Sequence, residues 1–312
     1  MSLRGVQGAQ QGDCRVEKEL KVQFRDLGGR KVSRYGLGTK RFPREDSSRV
    51  ERMDKVKVEG IFDTAFSLGI NYIDTSYSDA KGEAEQYVGD RISTAAEPAY
   101  AATSFFELVD PRYDYVFQKQ QKKLQRSCID FYYVEGVSNL TKNRDIDNGA
   151  VDFLFKRKEA GEIGMLGFSS DLSAENLREY LKLYPWDFVR MPVNFFDWFE
   201  KGLRDKYEVA MEAGVPIVAH APLRCGAATN LKADTVKVLK EANPTRSSVD
   251  WSLRFVKSLE GVATVSSNVY SADQLAVNAA VFADDAVLSS DEMDILAQAA
   301  HVQRTVRPGG AS

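Results

Sequence analysis

The stretch "NYIDTSYSDAKGEAEQYVGDRI", residues 71–92, decides the fold. It begins as a short strand that ends at the acid Asp74, continues as a polar loop, and becomes a helix that carries Glu83 and Glu85. A strand that ends in an acid and is followed by a polar loop and a helix is typical of the catalytic face of a barrel of parallel strands. The stretch therefore predicts one βα unit of such a barrel.

The same alternation continues along the chain. Strands are predicted at "RYGLGT" (34–39), "NYIDT" (71–75), "AYAATS" (99–104), "IDFYYV" (129–134), "IGMLGFS" (163–169), "DFVRMPV" (187–193), "VPIVAHA" (215–221) and "GVATVSS" (261–267). Helices are predicted at 58–69, 116–127, 151–161, 173–184 and 203–214, because apolar residues recur there every three to four positions. Parallel strands need crossover helices, so the pattern predicts an α/β fold, a (β/α)8 TIM barrel.

The barrel is expected to form one domain over residues 20–303, between a polar N-terminal tail (1–19) and a C-terminal tail (304–312). Before the first barrel strand, "KVQFRD" turns at Gly28–Gly29 into "RKVSRY". Paired glycines between two strand patterns predict a short β-hairpin, which would plug the bottom of the barrel.

Composition excludes several classes of function. The chain has 312 residues, of which 43% are hydrophobic, and that is enough for one large core. Its net charge of −3 is spread over interspersed acids and bases. We find no basic stripe with interleaved aromatic residues, so no nucleic-acid partner is expected. The longest apolar runs fall short of the roughly 20 residues that a membrane span needs.

The cysteines and the N-terminus bear on the compartment. Cys14, Cys128 and Cys225 lie far apart and form no CxxC motif, which argues against a disulfide framework or a metal site. Residues 1–16 lack the apolar segment of a secretory signal. We therefore expect a protein that is not secreted, in the cytoplasm or inside an organelle. Whether the tail is a transit segment stays open.

Blocks along residues 20–300 make the chain resemble the aldo-keto reductases. They are "KVSRYGLGTKRFP" (31–43), "GINYIDTSYSDAKGEAEQYVG" (69–89), "IDFYYVEGV" (129–137), "GEIGMLGFSSDLSAENL" (161–177), "WDFVRMPVNFFDW" (186–198), "GVPIVAHAPLRCG" (214–226), "ANPTRSSVDWSLRFV" (242–256) and "SADQLAVN" (271–278). They are most similar to the branch that often carries a C-terminal iron–sulfur extension. Here the chain stops at Ser312 without a cysteine cluster, so no iron–sulfur cluster is expected.

The resemblance implies reduction of carbonyl compounds with NADPH, in which a Tyr gives the proton, a Lys and an Asp tune it, and a His orients the substrate. Asp74 matches the Asp, but Asp79 stands at the Tyr position, Ser104 at the Lys position and Glu135 at the His position. The reaction needs a proton donor beside the developing alkoxide. Three of the four groups are replaced.

Three neighbours are candidates to substitute. Tyr77 lies two positions before the expected Tyr, and a structural role is favoured for it. Lys40 ends the first strand and would serve as a base or an ion-pair partner, with an exposed rim lysine as the preferred alternative. His220 falls where relatives place an aromatic ring on the nicotinamide, and it is either an acid–base group or a packed histidine.

The resemblance also assigns cofactor positions. Ser169, Ser170 and Arg190 correspond to the residues that hold the nicotinamide amide. An Arg at that place would crowd the ring, or would pair with Glu135 or Asp74.

The adenine end matches the family better. Gln274 and Asn278 match its polar pair, and "PLRCG", with Pro222, Leu223 and Gly226, resembles the loop over the pyrophosphate. The segment around Ser267, "SSNVYS", offers no Lys or Arg for a 2′-phosphate. NADP(H) binding stays open.

Three functions follow. The favoured one is a barrel that has lost reductase chemistry and serves as a structural or regulatory subunit with protein partners. The second is an enzyme that uses Asp79, Glu135 or His220 for other acid–base chemistry. The third is an NAD(P)H-dependent reductase of small carbonyl compounds. The carboxylates also raise a metal hypothesis, but no motif has metal-ligand spacing, so no metal is expected.

Overall fold

A computed structural model describes residues 20–45, 52–200 and 202–305 of the chain. The tail predicted at 1–19, with Cys14, lies outside the described residues, as do 306–312 of the predicted C-terminal tail. Within the described part, no helix has the length and apolar character needed to cross a membrane.

Eight parallel strands close into a barrel, as the sequence predicts. The barrel strands are β3 (Tyr35–Gly38), β4 (Tyr72–Asp74), β5 (Tyr100–Phe105), β6 (Ile129–Ser138), β7 (Ile163–Asp171), β8 (Phe188–Pro192), β9 (Ile217–His220) and β10 (Val262–Asn268). Two further strands, β1 (Phe24–Leu27) and β2 (Arg30–Ser33), precede them and form a separate sheet. Around the barrel the order is β10-β3-β4-β5-β6-β7-β8-β9. Each barrel strand overlaps the segment predicted for it.

The barrel closes at a seam between its first and last strands. There β10 pairs with β3 in register from Val265↔Tyr35 to Asn268↔Gly38. At its upper end the Asn268 side-chain oxygen accepts a hydrogen bond from the Lys40 backbone N–H at 3.1 Å.

Helices cover the outside of the barrel. They are α1 (Lys55–Ser67), α2 (Glu83–Ser93), α3 (Tyr113–Leu124), α4 (Arg144–Asp147), α5 (Ala150–Glu159), α6 (Ala174–Leu183), α7 (Phe195–Glu200), α8 (Leu203–Glu212), α9 (Ala233–Ala242), α10 (Ser248–Lys257), α11 (Ala272–Ala280) and α12 (Ser290–Thr305). The first begins three residues earlier than predicted, because the Asp54 side chain accepts a hydrogen bond from the Lys57 N–H and caps it. Helical 3-10 turns occupy Asp79–Gly82 and Arg224–Thr229.

The predicted hairpin is present at the bottom of the barrel. Strands β1 and β2 pair antiparallel, and the buried side chains of Leu27 and Val32 join the apolar interior with Phe131 and Phe188. The turn between the two strands packs closely against the Met165 side chain of β7. Gly28 has φ +60°, and a Cβ there would lie 2.7 Å from the Met165 sulfur. The hairpin therefore closes the lower end of the barrel with apolar packing.

Candidate active site

Asp74 stands at the centre of the upper end of the barrel. Its Oδ1 accepts a hydrogen bond from the Tyr133 hydroxyl at 3.1 Å. Its Oδ2 accepts from the Ser266 hydroxyl at 2.5 Å and from Arg190, at 3.0 Å from Nη2 and 3.3 Å from Nε. Only 4% of the residue is exposed, so the carboxylate is saturated by contacts inside the protein.

Arg190 crosses the barrel from β8 to reach Asp74. The sequence left two partners open for it, and the ion pair is with Asp74 rather than with Glu135. Its guanidinium also lies 5.0 Å from the centre of the Tyr133 ring. Burial alone would lower the pKa of Arg190, but the Asp74 carboxylate raises the pKa above its ordinary value. Arg190 is therefore a fixed cation.

Tyr133 lies beneath this ion pair. Residues two apart on a strand share a face, so Tyr133 points into the barrel together with Glu135. Burial raises the pKa of Tyr133 well above its usual value, and the residue is 2% exposed. Its hydroxyl already donates to Asp74. It therefore has no proton to offer to a molecule at the mouth.

Asp79, at the position of the family's Tyr, begins the 3-10 turn after β4. Its Oδ2 accepts from the Thr39 hydroxyl at 2.7 Å and its Oδ1 accepts from the Ser76 hydroxyl at 2.8 Å. Burial raises the pKa of Asp79 above the ordinary value of an aspartate. Both carboxyl oxygens are engaged with the protein.

Ser104 and Glu135, at the Lys and His positions, are bound to each other. The buried Ser104 hydroxyl donates to Glu135 Oε2 at 2.8 Å. The two residues line a small cleft together with Tyr77 and Phe106. All four tetrad positions lie at the upper end of the barrel, but their side chains form three separate groups of internal contacts: one around Asp74, one around Asp79, and the Ser104–Glu135 pair.

His220 and Lys40 lie on the other side of the mouth. His220 ends β9, in register with Pro192 on β8 and Ser266 on β10. Burial lowers the pKa of His220 well below its usual value, and the nearby cations Arg190 and Lys40 lower it further. The imidazole is therefore neutral. Lys40 is exposed at the rim.

The positions assigned to the nicotinamide amide are occupied by protein contacts. Ser169 pairs in register with Arg190, whose side chain is held by Asp74. Ser170 is buried, and its hydroxyl accepts from the Leu172 N–H at 3.3 Å. An arginine held across the strand ends leaves these residues unfit for a nicotinamide ring there.

The residues assigned to the adenine end are also turned toward the protein. Gln274 Oε1 accepts from the Tyr270 N–H at 3.0 Å. Asn278 is 2% exposed and, with Ser267, lies beside the Tyr35 hydroxyl. Burial raises the pKa of Tyr35 to about 12 despite these two neighbours.

The loop after β9 contains the segment expected over a pyrophosphate. Pro222 is buried and Gly226 has φ +95°. The non-glycine residues Ala221, Arg224 and Cys225 also have positive φ, which is a strained conformation. Ties to two neighbouring segments hold the loop. Arg224 pairs with Asp197 at 3.1 Å, and Arg41 Nη2 donates to the Cys225 carbonyl oxygen at 3.4 Å.

Over residues 20–45, 52–200 and 202–305, no group of three or more His, Cys, Asp or Glu side chains is arranged to hold a metal ion.

Comparison with known proteins agrees with the fold. Residues 34–301 match the model of the Aldo/keto reductase family, and the chain belongs to that family. A curated relative is the "Uncharacterized oxidoreductase YqkF" of Bacillus subtilis (strain 168). It is 24% identical over 255 residues, which cover 72% of this chain and 82% of that protein.

Solved structures show the same architecture. The holo form of aldo-keto reductase AKR11C1 from Bacillus halodurans has a TM-score of 0.73 and 24% identity, covering 89% of this chain and 96% of its own. An aldo-keto reductase from Klebsiella pneumoniae in complex with NADPH has a TM-score of 0.68 and 18% identity, covering 89% and 94%. At these identities the likeness concerns the fold.

Two residues that donate hydrogen bonds to Asp74, Tyr133 and Ser266, were not predicted from the sequence. Tyr133 could have been found from its spacing of two residues from Glu135. Ser266 carries no such signal, because the register of β10 shifts between Val262 and Thr264 and changes which residues face inward.

Proposed function

We propose that this barrel does not reduce carbonyl compounds by its family's chemistry and that it serves as a structural or regulatory subunit of a larger assembly. The observation that carries the proposal is the saturated carboxylate of Asp74, held by Tyr133, Arg190 and Ser266. An aspartate in these contacts has no remaining oxygen with which to tune a proton donor.

The donor itself is missing from the same place. Carbonyl reduction places negative charge on the substrate oxygen, which a proton donor and positive groups must stabilise. The donor position holds Asp79, which is engaged by Thr39 and Ser76, and the orienting position holds the Glu135 carboxylate. A carboxylate beside a developing alkoxide raises the barrier rather than lowering it.

The test is a reductase assay with the purified chain. NADPH oxidation is followed with glyceraldehyde, methylglyoxal and 4-nitrobenzaldehyde, and the Klebsiella enzyme serves as the positive control. We expect no rate that depends on protein concentration. A saturable rate that disappears on changing Asp79→Asn and Glu135→Gln would overturn the proposal.

Dinucleotide binding is measured separately from turnover. The Klebsiella relative was solved with NADPH, so the same ligand is the appropriate probe. Because Asn278 faces Tyr35 and Arg190 holds the nicotinamide end closed, we expect binding weaker than micromolar by tryptophan fluorescence. Micromolar affinity would contradict the assignment of a closed site.

A second candidate is acid–base chemistry without hydride transfer. It is favoured by the neutral His220 ring and by Asp79, whose pKa is raised by burial, at one barrel mouth. The measurement is hydrogen–deuterium exchange beside the carbonyl of small aldehydes and ketones, followed by NMR in heavy water. His220→Gln or Asp79→Asn should abolish protein-dependent exchange that Ser104→Ala leaves intact. Exchange unaffected by both changes would exclude this candidate.

A further inference from the structure

Helix α3 and the residue before it, Arg112, place cations and an aromatic ring together on the outer surface. The Arg112 guanidinium lies 4.5 Å from the centre of the Tyr115 ring, and the Lys119 amine lies 5.2 Å from the same ring. Lys119 is also 5.9 Å from the ring of Tyr77, which comes from the loop after β4. We call Arg112, Tyr115, Lys119, Lys122 and Tyr77 the α3 patch.

Helical spacing makes these residues one surface. Tyr115, Lys119 and Lys122 follow each other by four and three positions, so they lie on one face of the helix. All three are exposed, and Tyr115 is 42% exposed although it is a large aromatic residue. Tyr77 extends the same surface toward the barrel mouth.

The positive charge of the patch is only partly neutralised. Arg112 donates twice to Asp110, at 2.9 and 2.7 Å. Lys119 and Lys122 form no ion pair with any acid in the described part of the chain. Contacts with the Tyr115 hydroxyl raise the pKa of Lys119, which keeps it charged. Two unpaired cations therefore stand on a chain whose net charge is −3.

An apolar margin adjoins the cations. Leu108 is 72% exposed and Val109 is 46% exposed in the loop before α3. Val109 lines the same cleft as Tyr77, whose ring lies 5.9 Å from the Lys119 amine, so Tyr77 connects the apolar margin to the lysines. Large exposed apolar side chains beside a polar rim mark binding surfaces.

We propose that the α3 patch binds an acidic segment of a partner protein that also carries aromatic or apolar side chains. Unpaired lysines match its carboxylates, and Tyr77, Tyr115 and Val109 match its apolar groups. The 12-residue helix is about 18 Å long, and two free lysines are too few for a strong contact with an RNA backbone. The inference rests on the proposed subunit function and names the chemistry of its partner.

The probe is a fluorescein-labelled copolymer of glutamate and tyrosine, with binding followed by anisotropy at two salt concentrations. The double variant Lys119→Glu/Lys122→Glu should weaken binding at least tenfold, and Tyr115→Ala should weaken it several-fold. The control Lys156→Glu/Lys182→Glu makes the same change of net charge on exposed lysines of α5 and α6, and it should stay within twofold of wild type. Urea unfolding of each variant checks that the barrel is intact.

Three outcomes would overturn the inference: no binding of the copolymer by wild type, equal weakening by both double variants, or tighter binding of a single-stranded RNA of matched charge. A different experiment, the NADPH oxidation assay, tests the proposed function. NADPH oxidation by wild type would end the proposed loss of reductase chemistry, whereas loss of copolymer binding concerns the α3 patch alone.

Discussion

The two ends of the barrel are built by different rules. At the bottom, the hairpin side chains Leu27 and Val32 join an apolar cluster with Phe131 and Phe188, and the Arg30 guanidinium lies beside Phe131, 5.9 Å from its ring centre. At the top, the same strands β6 and β8 carry Tyr133 and Arg190 into a polar network around Asp74, and β6 also carries Glu135, which accepts a hydrogen bond from Ser104. The packed lower layers of side chains hold the strands of a barrel together. Residues of the upper layer can therefore change their chemistry without loss of the fold.

The comparison also separates two kinds of energy. Apolar side chains at the bottom are stabilised by removal from water and need no particular partner. Buried charges at the top are tolerated only in pairs, because an unpaired charge in the interior is strongly destabilising. The upper layer is therefore the more sensitive to single substitutions.

Removing Arg190 should have the largest effect. Arg190→Met leaves the Asp74 carboxylate buried with only two hydroxyl donors, and we expect a loss of about 3–5 kcal/mol in the free energy of unfolding. The control Asp74→Asn/Arg190→Met removes both charges and should lose much less. Urea denaturation measures both. Equal losses of unfolding free energy in the two variants would show that leaving the Asp74 charge unpaired carries no extra cost.

A change at the bottom should have a smaller effect. Gly28→Ala puts a side chain at φ +60° and against the Met165 sulfur, and we expect a loss of about 2 kcal/mol. Gly29→Ala is the matched control, since its φ is +77° but nothing lies within 4 Å of the added carbon. It should cost about 1 kcal/mol. Equal stability of the two variants would show that the turn at Gly28 is not closely packed against the Met165 side chain.

The smallest effect should appear in the pH dependence. Because His220 has a lowered pKa in the folded state, the unfolded chain binds a proton that the folded chain does not. Stability should therefore fall as pH drops below about 6.5, the ordinary pKa of histidine. His220→Gln should flatten this part of the curve, measured by urea midpoints between pH 7 and pH 5. An unchanged slope would mean that His220 has the same pKa in the folded and the unfolded chain.

Much of the fold could be predicted because buried parallel strands are continuous apolar runs with turn residues at their ends. That is why all eight barrel strands fall on their predicted segments. The pairing of Arg190 could only be narrowed to two acids, since β4 and β6 both place a carboxylate at the mouth. Distances across a barrel are not encoded in any short segment.

The α3 patch escaped prediction for a similar reason. Tyr77 is separated from Lys119 by the whole of α2 and β5, and the sequence shows no stripe that includes both. Only the closure of the barrel brings the loop after β4 beside α3. The protonation state of His220 could not be predicted either, because it depends on burial and on two cations that are distant in sequence, Arg190 on β8 and Lys40 in the loop after β3.

The seam between β10 and β3 has a consequence for synthesis of the chain. Until residues Val262–Asn268 have left the ribosome, β3 and β9 both present open edges with unpaired backbone groups. A nascent chain that already contains seven of the eight strands is therefore a curved open sheet able to pair with another copy. All of the barrel, from Tyr35 to Asn268, must be translated before this exposure ends, and open strand edges in a growing chain favour association between copies.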